Sequence, residues 1–432
     1  MSAELIGVLG VVVFIVLILC RVWVGAALAI VGFLGIWVIS GLPQALATLG
    51  TAPFSNIDNY TITTIPMFTL MGMVIAETNI GSALYEAAYR FIGRFRGGLA
   101  SATVVAGGLM GAITGSENVS TVIMSKIAFP PMKKLGYSDE LASGSVAAGS
   151  PLAIIIPPSM PMIMYGILTE QSIGKIFVSG IVPGVLMVVA FVACIWVVCM
   201  INPKNGPKGP KTAAKEALAS LLGVLPTVIL FLLVLGGIYL GICTTTEAGA
   251  IGALGALVIA AVTRQLTWKK LGKILKETVL TTGFVLFLLV GTYVFIQFVA
   301  ISKLPFFITE FIIGLHMSKD VVLLLVAVMY IILGMCLPAM TMMVLTIPLL
   351  FPAMMALGFD PIWFGLFVVL MQALGGITPP VGMVVYILGG TTGVPITRIF
   401  KGAIPFVVAE LIVILLVCIF PVLATWLPTL MG

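Results

Sequence analysis

The side chains with chemistry to offer in this sequence are few and concentrated. Within residues 111–159, two runs interrupt an otherwise apolar stretch: Gly115-Ser116-Glu117-Asn118-Val119-Ser120-Thr121 and Ile156-Pro157-Pro158-Ser159. Backbone groups in lipid must be hydrogen-bonded internally, so irregular chain at that depth is tolerated only where protein or a wet cavity surrounds it. Glu117 is an ionisable group in apolar sequence, where a charge is costly and functional by default. Lys126, on the same stretch, is a potential partner, or else it snorkels to the cytoplasmic interface. The plainer role for Glu117 is to cap a helix N-terminus. Glu247, at the start of a later span, is expected to cap or to lie at the interface. Catalysis finds no support: His316 is the only histidine, placed by its surroundings at the interface, and no nucleophile is paired with a base. Gly174-Lys175 and Gly272-Lys273 lack the preceding glycine and following Ser/Thr of a phosphate loop. The six cysteines (Cys20, Cys194, Cys199, Cys243, Cys336, Cys418) sit singly in apolar segments and read as packing residues.

The elements that must hold these residues follow from composition. Of 432 residues 61% are hydrophobic and 8% charged, against roughly 25% charged in an average soluble domain. Apolar runs of about 18 residues or more recur along the chain, each long enough for roughly 30 Å of hydrocarbon. An all-α polytopic membrane protein is predicted, with about 11 transmembrane spans and two re-entrant helical hairpins. The net charge of +6 comes from basic residues gathered in loops, the positive-inside signature, and does not indicate nucleic acid. No removed signal peptide is read at the N-terminus.

Spans are expected at 5–20, 22–40 and 61–77, with 41–60 a loop and 83–96 a surface helix. Residues 97–132, roughly 36 in number, would make a helix of about 54 Å, far longer than a bilayer is thick. Their polar centre, flanked outside by Arg94, Arg96, Lys133 and Lys134, predicts a re-entrant hairpin with its tip at Gly115–Asn118 and both ends cytoplasmic. The span at 138–168 must be interrupted at its prolines. A span at 173–201 leads to a cytoplasmic linker, 202–216, carrying Lys204, Lys208, Lys211 and Lys215. Spans follow at 217–242 and 246–263, then a basic surface segment from Arg264 to Lys276, and spans at 278–300 and 403–428. Residues 303–317 read as a second surface helix. Residues 320–355 repeat the overlong pattern, with an interruption at Gly334–Pro338, and 360–390 is broken at Gly375-Gly376-Ile377-Thr378-Pro379-Pro380.

These features recur at one offset. Phe129-Pro130 and Gly136 match Phe351-Pro352 and Gly358, Pro157-Pro158 matches Pro379-Pro380, and Gly180 and Pro183 match Gly402 and Pro405. The first hairpin is flanked by basic residues on both sides, whereas the second has Lys319 before it and none after it until Arg398. Two inverted-topology repeats are therefore predicted, 61–201 and 217–432, after N-terminal scaffold spans in 1–60. That architecture places a binding site at the membrane midplane.

Ile65-Pro66-Met67-Phe68 with Gly72, Gly97-Gly98-Leu99-Ala100, Gly115-Ser116, Gly136-Tyr137, Ile156-Pro157-Pro158-Ser159, Thr246-Glu247-Ala248 and Thr378-Pro379-Pro380-Val381-Gly382 occur in order along nearly the whole chain. Together they resemble the large membrane subunit of the tripartite ATP-independent periplasmic (TRAP) transporters, of the DctM type. The resemblance implies an elevator-type importer with scaffold and transport domains. It also implies sodium ions as coupling ions and no other cofactor, and an organic acid anion as substrate: a C4-dicarboxylate, sialic acid or a related carboxylate or sulfonate. Expected partners are a small membrane subunit, a periplasmic substrate-binding protein and the lipid bilayer of a bacterial or archaeal cytoplasmic (inner) membrane. By resemblance, one sodium site draws on Ser116, Asn118, Ala153, Ile156 and Pro158, and a second on Gly334, Gly375 and Thr378. Substrate contacts are expected from Glu117, Asn118, Ser159 and Thr341. The chain departs from the family pattern in having Glu117 and Asn118 where small residues follow the tip, Ala153 for Gly and Lys126 for a small residue. It also lacks acidic residues near Pro338 and at Ala373, so the acidic positions have moved. The alternative is a standalone sodium- or proton-coupled anion transporter of the same inverted-repeat superfamily, with Glu117 as the proton carrier.

Overall fold

Backbone polar groups in hydrocarbon must bond within their own segment, so nearly every apolar run of this chain folds as helix. The computed structural model describes residues 2–209, 214–314 and 317–431, and among them all regular structure is helical. Among the described residues eight helices are long and apolar enough to cross a membrane, and the bent pair Tyr60–Ala76 and Ile80–Ile92, turning by 65°, makes a ninth if counted as one span. The apolar helices Ala3–Leu19 and Val24–Ser40 have 17 residues each, about 26 Å at the helical rise. His316 and Lys211 lie outside the described residues.

Three boundaries differ from the sequence reading. The stretch expected as a loop at 41–60 is largely the helix Leu42–Ile57. Gly41, at φ +90°, turns the chain into it, and Pro43 sits in its first turn, where a missing N–H costs nothing. The basic segment around Lys269–Lys276 is not separate from the following span: Trp268–Ile301 is one helix of 34 residues, capped by the Thr267 hydroxyl. Polarity marks where a helix leaves lipid, not where it ends. The last span begins early, at Ile396, and stops at Ile419 before Pro421, so Arg398 and Lys401 belong to its first turns.

The interruptions are where the sequence placed them. Gly98–Thr114 and Glu117–Ile127 meet at Gly115-Ser116. Asp139–Gly149 continues through the short Leu152–Ile155, breaks at Ile156–Ser159 and resumes as Met160–Thr169. Lys319–Cys336 and Ala339–Ala356 meet at Leu337-Pro338. Pro361–Ile377 and Met383–Thr392 flank the break at 378–382. Pro157-Pro158 and Pro379-Pro380 are both cis, and Gly136 and Gly358 take φ of +78° and +79°.

With lipid as apolar as leucine, helices associate through close backbone contact at small residues. Asp139–Gly149 packs on Ile396–Ile419 with Gly144 against the Gly402 carbonyl and Gly402 against the Glu140 carbonyl. At the end of this seam Asp139 takes both Lys133 and Arg398, the latter at 2.9 Å. Val24–Ser40 packs on Trp268–Ile301 in the same way: a Cβ on Gly32 would stand 2.8 Å from the Val294 carbonyl oxygen. Backbone atoms cannot yield as a flexible side chain can. Gly402→Val is therefore expected to lower the thermal unfolding midpoint of the purified protein by an amount matching about 1–3 kcal/mol or more. Gly390→Ala, with open space around the added methyl, should leave that midpoint in place.

Candidate functional site

The first hairpin turns because Gly115 adopts φ +59°, a left-handed conformation that suits glycine, followed by extended Ser116. The turn is tied to the neighbouring break by a hydrogen bond from Met160 N–H to the Gly115 carbonyl at 3.2 Å. A Cβ on Gly115 would come within 2.9 Å of the Pro158 carbonyl oxygen. Thr114 and Ser120 bridge the two arms of the tip through their hydroxyls at 2.8 Å.

Around this tip lies a cavity of about 300 Å³. Ser116, Glu117 and Asn118 line it from the first hairpin, Met160 from the first broken helix, and Pro338 and Ala339 from the tip of the second hairpin. Asn118, Val119 and Met73 also border a wider groove of about 560 Å³, which passes Lys126 and Lys273. Glu77 and Glu277 line the same groove. Lys273 is held by Glu77 at 2.8 Å across two helices.

The expected site residues fall into two groups. Ser116, Asn118, Ala153, Ile156 and Pro158 surround the first break, where Ala153 is buried against Gly111 and Ile156 ends the short helix Leu152–Ile155. Gly334 and Gly375 meet backbone to backbone, a Cβ on Gly375 standing 2.6 Å from Gly334 Cα. Thr378 follows them, its hydroxyl donating to the Leu374 carbonyl at 2.6 Å. Of the four residues expected to touch substrate, Glu117 and Asn118 line the cavity. The Ser159 hydroxyl instead accepts from Met162 N–H, capping Met160–Thr169, and Thr341 is buried in the first turns of Ala339–Ala356.

Glu117 is the first residue of its helix, a favoured place for an acid. Its side chain is 7% exposed, and Oε2 has no hydrogen-bond partner. That oxygen faces the other half of the chain: a Cβ on Gly376 would lie 3.3 Å from it. Lys126, weighed above as its partner, is not one. It stands exposed at the far end of the same helix, about 13 Å along the axis. Glu247 closes a capping box with Thr244, accepting from Thr244 N–H at 2.8 Å, while Thr246 bonds Thr64 across the halves at 2.7 Å.

Two buried polar residues escaped the sequence reading. Gln372 is 2% exposed and Glu410 1%, and neither has a partner for its side-chain polar atoms. Their signal was present as polar residues inside apolar spans, but they lie in regular helix, away from the glycine and proline breaks that drew attention.

A multi-pass helical chain whose helix breaks converge on a cavity is built as a membrane permease. A family model described as "Tripartite ATP-independent periplasmic transporter, DctM component" matches residues 11–423, and the chain belongs to that family of TRAP transporter large permeases. It is similar to the C4-dicarboxylate TRAP transporter large permease protein DctM of Pseudomonas aeruginosa, 31% identical over 391 residues, covering 90% of this chain and 91% of that one. It is also similar to the sialic acid TRAP transporter large permease protein SiaM of Vibrio cholerae, 31% identical over 381 residues with 87% and 88% covered. The isethionate TRAP transporter permease protein DctMQ of Oleidesulfovibrio alaskensis is 30% identical over 415 residues, 90% of this chain and 64% of that one. These relatives are transporter permeases, not enzymes. The YdaH transporter of Alcanivorax borkumensis shares the fold, with a TM-score of 0.62 at 16% identity over 89% of this chain and 88% of that one.

Gly115→Ala is expected to cost about 1–2 kcal/mol for the left-handed backbone alone, with the crowding at Pro158 added. A lowered unfolding midpoint together with reduced transport should follow. Gly136→Ala, equally left-handed but with nothing near its Cβ, should show the stability loss with transport retained.

Proposed function

We propose that this chain is the permease subunit that imports an organic acid anion by sodium symport with an elevator movement, loaded by a periplasmic binding protein. The observation that carries the reading is the cavity at the first hairpin tip, bordered by both hairpin tips and adjoining a wider groove that runs along the hairpin's second helix. Residues 61–201 and 217–432 form the inverted repeats in this reading, joined by the linker at 202–216. The hairpins and broken helices move as the transport domain, with the N-terminal spans in 1–60 in the scaffold. Matched left-handed glycines, Gly136 and Gly358, at the same sequence offset support the pairing of the halves.

Sodium is bound at the breaks. Hard cations prefer oxygen ligands, and a helix end frees carbonyls to supply them. One ion sits among Ser116, Asn118, Ala153, Ile156 and Pro158, the other among Gly334, Gly375 and Thr378. The anion occupies the cavity beside Glu117 and Asn118 and near Ser159 and Thr341. A C4-dicarboxylate, sialic acid or a sulfonate fits the chemistry named for the relatives. A small membrane subunit and a periplasmic binding protein complete the system in the inner membrane.

Proteoliposomes test this directly. Uptake of the anion should require a sodium gradient, the small subunit and the binding protein together; uptake by this chain alone would replace the reading with a standalone transporter. Ser116→Ala and Thr378→Val should each raise the sodium concentration for half-maximal uptake about tenfold, equivalent to about 1.4 kcal/mol. Unaltered sodium dependence in both variants would remove these two residues from the ion sites.

A further inference from the structure

The cavity at the first hairpin tip and the wider groove beside it share three lining residues, Met73, Asn118 and Val119. Three helices each carry one face from the first space into the second. On Glu117–Ile127 that face is Asn118, Val122 and Lys126, at the i, i+4, i+8 spacing of a helical stripe. The helix Thr64–Ala76 presents Thr69 to the cavity, Met73 to both spaces and Glu77, its C-terminal capping residue, to the groove. Trp268–Ile301 presents Thr281 to the cavity, then Glu277 and Lys273 to the groove. Each stripe advances eight residues along its helix, about 12 Å. The two spaces are thus successive parts of one passage, with charged side chains gathered at its far end.

That far end has two walls of different charge. Thr64–Ala76 and Trp268–Ile301 pack on each other and form one wall. There Lys273 pairs with Glu77 at 2.8 Å, and Glu277 stands one turn further along the same helix, so two acids surround a single base. Glu117–Ile127 forms the other wall, and Lys126 is the charged residue it brings to the groove. Among the described residues no acid pairs with Lys126, and no hydrogen bond engages its ammonium group. Apart from Asn118, the rest of the groove lining is apolar: Met73, Ala76, Val119, Val122, Ile123 and Ile127. The cavity itself is lined by neither lysine nor arginine. Among the described residues along the passage, Lys126 is therefore the cation that no acid already holds.

We propose that Lys126 is a second, weaker station for the anion's acid group, met as the anion leaves the cavity toward the cytoplasm. This deepens the proposed function and rests on it, since it takes the cavity as the substrate site. A carboxylate or sulfonate that moves past Asn118 into a groove with apolar walls loses its polar partners. The acids on the wall of Thr64–Ala76 and Trp268–Ile301 repel it, and Lys126 on the facing wall attracts it. An ammonium on a flexible four-carbon stem can reach back along the groove and then swing out toward water. Because the positive-inside rule puts both ends of the first hairpin in the cytoplasm, the station lies on the inner side of the cavity. It therefore acts on release and on rebinding from inside, and not on delivery from outside. An exposed pair of this kind is also weak enough to let the anion go.

The test uses the full chain with its small subunit and binding protein in phosphatidylcholine proteoliposomes, with succinate, sialic acid and isethionate as probes. For the probe that is taken up, the concentration inside the vesicles that halves uptake should rise about fivefold in K126Q, equivalent to about 1 kcal/mol. K126R should restore it. The outside concentration for half-maximal uptake should stay as in the wild type. Added salt should weaken the inside inhibition of the wild type more than that of K126Q, because screening acts on an exposed charge. A purely structural role would move both constants, and a lysine that only reaches for water would move neither; either result overturns the station. So does an effect of K126Q that appears only when anionic lipid is added, which makes a headgroup the ligand. A second measurement needs no uptake: the purified complex is acetylated with acetic anhydride beside each probe at fixed ionic strength, and read by mass spectrometry. At least one probe should slow modification of Lys126 about threefold relative to Lys204 in the linker. Equal modification with all three overturns the station. Protection of Lys126 without uptake of any probe would count against the proposed function and leave the station standing.

Discussion

A backbone that leaves helical conformation inside hydrocarbon must find partners in the protein or in a wet cavity, and the structure depends on how four such breaks meet this demand. They answer one another. Met160 N–H at the first broken helix bonds to the Gly115 carbonyl at the first hairpin tip, and Gly334 of the second hairpin lies directly against Gly375 of the second broken helix. The first contact joins two unwound segments, and the second joins the helix ends that lead into the other two breaks. In the proposed function, the carbonyls left over at these breaks are the polar groups offered to a transported ion or anion.

Close packing of small residues makes the pairs possible. Glycines on Gly98–Thr114 seat the short helix Leu152–Ile155 and its neighbour: Gly111 lies against Ala153, and a Cβ on Gly107 would stand 2.6 Å from the Gly149 carbonyl oxygen. The Gly144–Gly402 seam then holds the last long helix against the same body. Since interfaces between membrane helices lack a hydrophobic drive of their own, these contacts position Glu117 and Glu410 without help from polar partners. The result is a rigid apolar surround for a few polar groups, so each unpartnered oxygen within it has more effect than it would in water.

The fold was legible in the sequence to the extent that glycine, proline and hydropathy write it. The overlong apolar stretches with polar or proline-broken centres located all four interruptions, because no other feature could reconcile their length with a bilayer. Hydropathy failed at the edges. It missed the helix Leu42–Ile57, whose composition is only weakly apolar, and it split Trp268–Ile301 at its lysines, although a helix continues through the headgroups as readily as through lipid. At the site, the tip residues Ser116, Glu117 and Asn118 were found because they interrupt a pattern. Gln372 and Glu410 were not, because a single polar residue in a regular helix carries no spacing, and only the packing shows which way it faces. Lys126 was named as a possible partner for Glu117 on proximity in sequence, but eight residues of helix separate them.

What unites the fold and the site is the meeting of the first hairpin tip with the second broken helix, seen here as Glu117 against Gly376. On a background with the six native cysteines replaced, E117C paired with G376C measures that meeting in the membrane. Because the contact at Gly376 is made by the end of the Glu117 side chain, a short bifunctional thiol crosslinker applied to membranes holding the assembled protein is expected to join the two cysteines, as a shift in mobility after cleavage of the linker at 202–216. Failure to join, while a T64C/T246C pair, whose native hydroxyls lie 2.7 Å apart across the linker, joins under the same conditions, would contradict the convergence of the two halves on one site.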